Sequence, residues 1–158
     1  MRPIAVIDID GVVADVTHRL HHLDSRPKDW GSFFGAAVDD PPLAEGIRRV
    51  RQLLADHDVV YLTGRPEWLR VDTERWLAAH DISGTELHMR RRGDRRPARQ
   101  TKAETVRRLS RDRVVALVLD DDPEVVQALE DQGWPVELAT WLPHSKTLGQ
   151  AQESDGRT

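Results

Sequence analysis

Ile4-Ala5-Val6-Ile7-Asp8-Ile9-Asp10-Gly11 sets four apolar residues, three of them β-branched, directly against two carboxylates and a glycine. An apolar run without alternation suits a strand of a parallel sheet buried on both faces. Residues 59–62 and 114–119 have the same form and also end in polar residues, and 86–89 and 136–139 are weaker strand candidates. Helical spacing fills the intervals. Residues 43–57 carry Ile47, Val50, Leu53 and Leu54, and residues 67–80 carry Leu69, Thr73, Trp76 and Leu77. Two further helices are expected over 101–110 and 123–132, the second with Pro123 in its first turn. Strand and helix in alternation predict an α/β fold: a Rossmann-like open parallel sheet of about five strands flanked by helices, with right-handed crossovers.

Residues 12–40 break this rhythm and contain Trp30, Phe33 and Phe34. They read as a small helical insert after the first strand. No segment has room for a large cap domain. A single domain over 1–143 and a flexible, polar tail over 144–158 complete the expected layout.

The bulk composition narrows the function classes. The 158 residues are 39% hydrophobic and 32% charged, as expected of a globular protein with a heavily charged surface. No cysteine is present, which excludes disulfides, thiolate metal sites and a cysteine nucleophile. No apolar run approaches the roughly 20 residues that span a bilayer, and Ile4-Ala5-Val6-Ile7 follows the start without a signal-peptide layout. A cytoplasmic location and no membrane partner are therefore expected. The net charge of −4 speaks against coating by nucleic acid, but it hides a local basic stretch.

Ligands of an open α/β sheet sit beyond the carboxyl ends of the strands. The residues there are Asp8 and Asp10 after the first strand, Thr63, Gly64 and Arg65 after the second, and Asp120, Asp121 and Asp122 after the fourth. Alone, each has an ordinary explanation: Asp-x-Asp-Gly as a strand-to-turn signal, Thr-Gly-Arg-Pro as a loop entering a helix, three aspartates as a helix cap. Together they form a carboxylate cluster that repels itself unless a cation is present. All-oxygen donors favour Mg²⁺, which suits phosphate substrates. A carboxylate beside such an ion can attack phosphorus to give an aspartyl-phosphate. Asp10 could protonate the leaving oxygen and then activate water. Thr63, backbone amides and Lys102 could neutralise the transferred group.

With these residues in place, the sequence resembles the haloacid dehalogenase-like phosphohydrolase superfamily. Asp8-Ile9-Asp10-Gly11-Val12-Val13-Ala14-Asp15 matches its first motif, Tyr61-Leu62-Thr63-Gly64-Arg65 its second, Lys102 its third and Leu119-Asp120-Asp121 its fourth. The resemblance implies Asp8 as nucleophile, Asp10 as general acid and base, and Thr63 and Lys102 as phosphate ligands. It further implies magnesium held by Asp8, Asp120, Asp121 and the Asp10 carbonyl. Within the superfamily the chain is most similar to the 3′-phosphatase domain of polynucleotide kinase-phosphatases, over residues 4–140. Arg26-Pro27-Lys28-Asp29-Trp30, Asp40-Pro41-Pro42 and the stretch from Met89-Arg90 to Arg96-Pro97 carry that similarity. It implies substrate contacts by Arg19 and Arg65. Two positions depart from the phage-type pattern: Asp122 stands where that pattern has arginine, and Ala98 where it has an acidic residue.

Six arginines lie within residues 90–99, just before Lys102. They place Arg90, Arg92 and Arg96, with Gly64, among the candidate contacts for a phosphorylated nucleic-acid end or nucleotide. The bland alternative is a solvated basic loop. Trp30, Phe33 and Phe34 are either core or a stacking platform, and His18, His21 and His22 are expected near the site entrance. No Gly-Lys-Ser/Thr phosphate loop is present, so a kinase or ligase working alongside would be a separate partner. Two other readings remain: a phosphatase for small phosphometabolites, and a phosphoacceptor module akin to response-regulator receivers. The second fits less well, since Asp10 supplies an acid/base beside the nucleophile.

Overall fold

The computed structural model describes residues 1–158. Five parallel strands form one sheet: β1 (Ile4–Ile7), β2 (Asp58–Pro66), β3 (Glu86–Arg90), β4 (Val115–Asp120) and β5 (Val136–Leu138), in the order β3-β2-β1-β4-β5. β1, the most uniformly apolar run, is the central strand, fully buried on both faces.

The two-residue period of the strands divides the core. Ala5 and Ile7 of β1, with Val59 and Tyr61 of β2, face one layer. That layer is supplied by α2 (Ala44–Leu54) through Ile47, Val50 and Leu53, and by α3 (Arg70–Ala79) through Trp76 and Leu77. Ile4, Val6, Val60 and Leu62 face the other. There α4 (Ala98–Leu109) contributes Ala103, Val106 and Leu109, and α5 (Pro123–Asp131) contributes Val125 and Leu129. The fold is the expected Rossmann-like sheet with helices on both faces and no large cap.

The insert after β1 is a 3₁₀ segment (Thr17–Leu23), the short helix α1 (Trp30–Gly35) and another 3₁₀ turn (Ala36–Asp39). The Asp29 side chain accepts from Ser32 N–H at 3.0 Å and caps α1. Phe33 and Phe34 are buried with Leu23, Leu69 and Met89, so these two rings are core, while Trp30 is only partly buried.

Two stretches differ from expectation. α4 begins at Ala98, three residues before the predicted start, because Pro97 supplies a fixed entry into the helix. Residues 144–158 are not a frayed tail: α6 (Lys146–Gly149) and a π-helical turn (Gln150–Ser154) follow a Ser145 cap. Leu148 and Ala151, spaced by one helical turn, bury their side chains. Two apolar residues in a polar stretch are enough to dock it, but too few to reveal it as a periodic pattern. No helix is long and apolar enough to cross a membrane.

Candidate active site

The carboxyl ends of β1, β2 and β4 converge as the topology requires. Gly11 turns the chain after β1 at φ +80°, where an added Cβ would lie 2.1 Å from Asp121 Oδ2. Only glycine lets the first turn approach the β4 carboxylates this closely. On β2, Leu62 pairs with His88 and Pro66 with Arg90, so four β2 positions oppose two on β3. This bulge lifts Thr63, Gly64 and Arg65 out of the ladder and re-aims them across the sheet end.

The site has two halves. In the first, Asp8, Asp120 and Asp121 hold carboxylate oxygens within 4.8 Å of one another. Lys102, from α4, reaches in to Asp120 Oδ2 at 2.6 Å and Asp8 Oδ1 at 3.0 Å. Asp8 Oδ2 and Asp121 Oδ1 are buried without a hydrogen-bond partner. Burial and the neighbouring Asp120 push the Asp8 carboxyl up to about 7, against the pull of Lys102. Burial, then Asp8 and Asp120, drives Asp121 well above the usual carboxylate range. Burial would lower the Lys102 ammonium, but Asp120 and Asp8 outweigh it and hold it charged. Three carboxylates against one ammonium leave this half two positive charges short, and two orphaned oxygens mark where a hard cation fits.

The second half is closed on itself. Asp10 Oδ1 accepts from Arg19 Nη2 at 3.0 Å, Arg65 Nε at 3.0 Å and Arg65 Nη2 at 2.6 Å. Both guanidiniums also bind Asp40: Arg19 Nε to Oδ1 at 2.8 Å and Nη2 to Oδ2 at 2.9 Å, and Arg65 Nη2 to Oδ2 at 3.0 Å. Burial alone would raise Asp10, yet Arg65 and Arg19 prevail and hold it at about 2. Two aspartates and two arginines thus cancel. Asp10 Oδ2 is left to the Thr158 hydroxyl at 3.4 Å and is the oxygen available for proton exchange. The Asp10 carboxylate lies outside the three-carboxylate cluster.

Asp40 is the functional residue that sequence reasoning missed. Asp40-Pro41-Pro42 carried similarity but no role; its meaning emerges only when two arginines from other segments meet over it. His18 also reaches it, with Nε2 2.6 Å from Oδ1, whereas His21 and His22 only pack on each other, with ring centroids 4.0 Å apart. The Trp76 indole N–H donates to the Asp40 carbonyl at 2.9 Å and fixes the loop.

The remaining candidates divide. Thr63 and Lys102 line one cavity of about 190 Å³ with Arg90, Arg91 and Arg96. Arg90 is buried and spent on main-chain carbonyls, those of Gly64 (3.3 Å), Arg96 (2.8 Å) and Thr158 (3.2 Å) among them. Arg96 is tied to Asp94 and Glu104, each at 2.8 Å. Arg92 is exposed and, with Arg91, Arg95 and Arg157, borders a groove of about 680 Å³ that also contains Trp30, Phe34 and the 65% exposed Trp68. Asp122 caps α5 by accepting from Glu124 N–H at 2.9 Å. Ala98 is buried beneath the sheet, where an acidic side chain would be left in an apolar core.

A family model described as the polynucleotide kinase PNKP phosphatase domain matches residues 3–137. Chains from two solved structures, a Pnkp1/Rnl/Hen1 complex and the Pnkp1/Rnl/Hen1 RNA repair complex, superpose with TM-scores of 0.72 and 0.73 at 23% identity. The alignments cover 87% of this chain and 46% and 42% of theirs, so the chain spans less than half the length of these relatives. A haloacid dehalogenase-like family hydrolase from Streptococcus pneumoniae superposes at TM-score 0.65 and 9% identity, covering 96% of this chain and 91% of its own. At these identities the structural likeness is one of fold. No curated protein matches the chain by sequence.

Proposed function

This chain belongs to the family of polynucleotide kinase PNKP phosphatase domains, and on that premise we propose that it is a magnesium-dependent phosphomonoesterase removing a 3′ (or 2′) phosphate from polynucleotide ends or nucleotides. The observation that carries the reading is the placement of the Asp8 cluster beside an arginine- and tryptophan-lined groove.

Asp8 is the nucleophile. Its carboxylate oxygen bonds to phosphorus as the bond from phosphorus to the ester oxygen breaks; water then attacks the aspartyl-phosphate, releasing phosphate and restoring Asp8. Magnesium would be held by Asp8, Asp120, Asp121 and the Asp10 carbonyl, and would supply the charge this half lacks. Lys102 and Thr63, which line one cavity, would bind the transferred group. Asp10 is ionised at rest, the form that takes a proton from the attacking water. Arriving phosphate adds negative charge beside it, so Asp10 first takes up a proton from solvent and gives it to the leaving oxygen.

The groove suits a strand rather than a sugar phosphate: exposed Trp68 and half-buried Trp30 offer stacking faces, and Arg91, Arg92 and Arg95 offer phosphate contacts. A separate kinase or ligase would supply the other steps of end repair, in keeping with the chain's likeness to members of an RNA repair complex. The test is a substrate panel in magnesium: a 3′-phosphorylated oligonucleotide, nucleoside monophosphates and sugar phosphates. The oligonucleotide should have the highest kcat/KM. A preference for sugar phosphates would overturn the polynucleotide assignment.

A further inference from the structure

The proposed nucleophile is covered. Asp8 and Asp10 are each 3% exposed and Lys102 4%, so little of any of them faces solvent in this arrangement. Part of the cover is a short stretch of chain, residues 155–158. The Thr158 hydroxyl donates to Asp10 Oδ2 at 3.4 Å, and its carbonyl accepts from Arg90 Nη2 at 3.2 Å. Its backbone presses on the β2 bulge so closely that a Cβ at Gly64 would fall 1.9 Å from its carbonyl carbon. Gly156, at φ +58°, fits where an added Cβ would meet Arg95 O at 2.0 Å.

This stretch is held differently from the turn that precedes it. Leu148 and Ala151 anchor residues 146–154 by apolar burial. Beyond them the outer contacts are polar: Lys28 Nζ to Asp155 Oδ2 at 2.6 Å, and the Arg157 guanidinium 5.2 Å from the Trp30 ring centroid. Contacts of this kind near solvent are individually weak and easily exchanged. Arg157 and Trp30 are at the same time walls of the basic groove. A strand lying in that groove competes directly for the contacts that keep residues 155–158 down. The stretch also lies outside the family match, which ends at residue 137.

We propose that residues 155–158 are a strap that closes the catalytic pocket and is displaced when a phosphorylated strand occupies the Trp30–Trp68–Arg92 groove. The inference rests on the phosphatase reading above. Thr158 and the substrate's terminal nucleotide occupy the same space between Gly64 and Asp10, and binding of one releases the other. Every phosphoester binds only the open protein, so its apparent affinity falls with the fraction that is open.

Gly156→Val tests this in the full chain, because a Cβ there cannot be seated against Arg95. If about one molecule in ten is open at rest, the variant should raise kcat/KM for both p-nitrophenyl phosphate and a 3′-phosphorylated oligonucleotide by about tenfold. Unchanged kcat/KM for both substrates, with both still hydrolysed, would overturn the strap and leave the phosphatase reading standing. No magnesium-dependent hydrolysis of any phosphoester by either protein would overturn both. A second variant serves if Gly156→Val fails to fold. The chain has no cysteine, so Lys28→Cys with Asp155→Cys can be joined by a short bismaleimide. Linking should suppress turnover of both substrates relative to the same protein unlinked; equal activity before and after linking would refute the strap.

Discussion

The two halves of the catalytic edge are built from the same materials and come out opposite. Around Asp10, two carboxylates meet two guanidiniums, nearly every polar atom is bonded, and the acid is held at about 2. Around Asp8, three carboxylates meet one ammonium, two oxygens are orphaned, and the acid is pushed to about 7. The first half is finished by the protein alone. The second keeps an excess of negative charge, which on the proposed function is where a metal and a phosphate would be received. Rigidity on one side and vacancy of charge on the other divide the work between positioning and chemistry.

The comparison breaks most visibly at the nucleophile. Asp8→Asn should cut turnover by at least about 10⁴-fold while leaving the protein folded, read by phosphate release beside calorimetry. Substantial residual turnover would remove Asp8 from its role. Next in size is Asp40→Ala, which leaves two buried guanidiniums sharing one carboxylate. It should cost about 3–5 kcal/mol and lower Tm by roughly 10 °C, with activity lost in proportion to folded protein. A loss under about 1 kcal/mol would mean that the closed half is not closed.

Smaller effects sharpen the contrast. Arg91→Ala with Arg92→Ala, both exposed beside the groove, should weaken oligonucleotide binding by about tenfold and flatten its salt dependence, with little change on an aryl phosphate. Equal losses on both substrates would argue against a strand in the groove. Asp121→Asn removes one charge from the over-charged half, so it should stabilise the metal-free protein by on the order of 1 kcal/mol while abolishing its thermal response to magnesium. Asp40→Ala and Asp121→Asn, both losses of a buried carboxylate, are thus expected to move Tm in opposite directions.

The same deficit sets a pH dependence. The Asp8 carboxyl is raised from 3.8 to about 7 in the folded protein, so the folded state keeps a proton that the unfolded chain has already released. Its contribution to metal-free stability is therefore present below about pH 4 and is lost as pH rises towards 7. Magnesium binds the ionised form, and the rise in Tm on adding it should be larger at pH 8 than at pH 5.5. A magnesium response independent of pH would place the ion elsewhere.

The sheet and Asp8 were legible because burial on both faces writes itself as unbroken apolar runs, and because the polar residues ending those runs must share an edge. The family resemblance then marked Thr63, Lys102, Asp120 and Asp121. Asp40 was not legible: its burial depends on Arg19 and Arg65 arriving from elsewhere, a tertiary fact with no periodicity. The arginine loop misled in part, since Arg90 spends its donors on main-chain carbonyls while Arg92 faces solvent. Composition could not separate the two. Residues 144–158 escaped for the opposite reason, since Leu148 and Ala151 are too few to outweigh their polar neighbours.

Asp40 has a consequence for how the molecule opens. It closes the insert, while its partners Arg19 and Arg65 come from the insert's start and from β2, and all three converge on Asp10 just beyond β1. Residues 17–40 therefore cannot come loose as an ordinary surface excursion: detaching them would take Arg19 from Asp10 and Asp40 from Arg65, leaving those two with only each other. Amide hydrogens of that segment, despite its short helices and solvent-facing side, should exchange in step with β1 and β2, as one cooperative unit with the sheet they border.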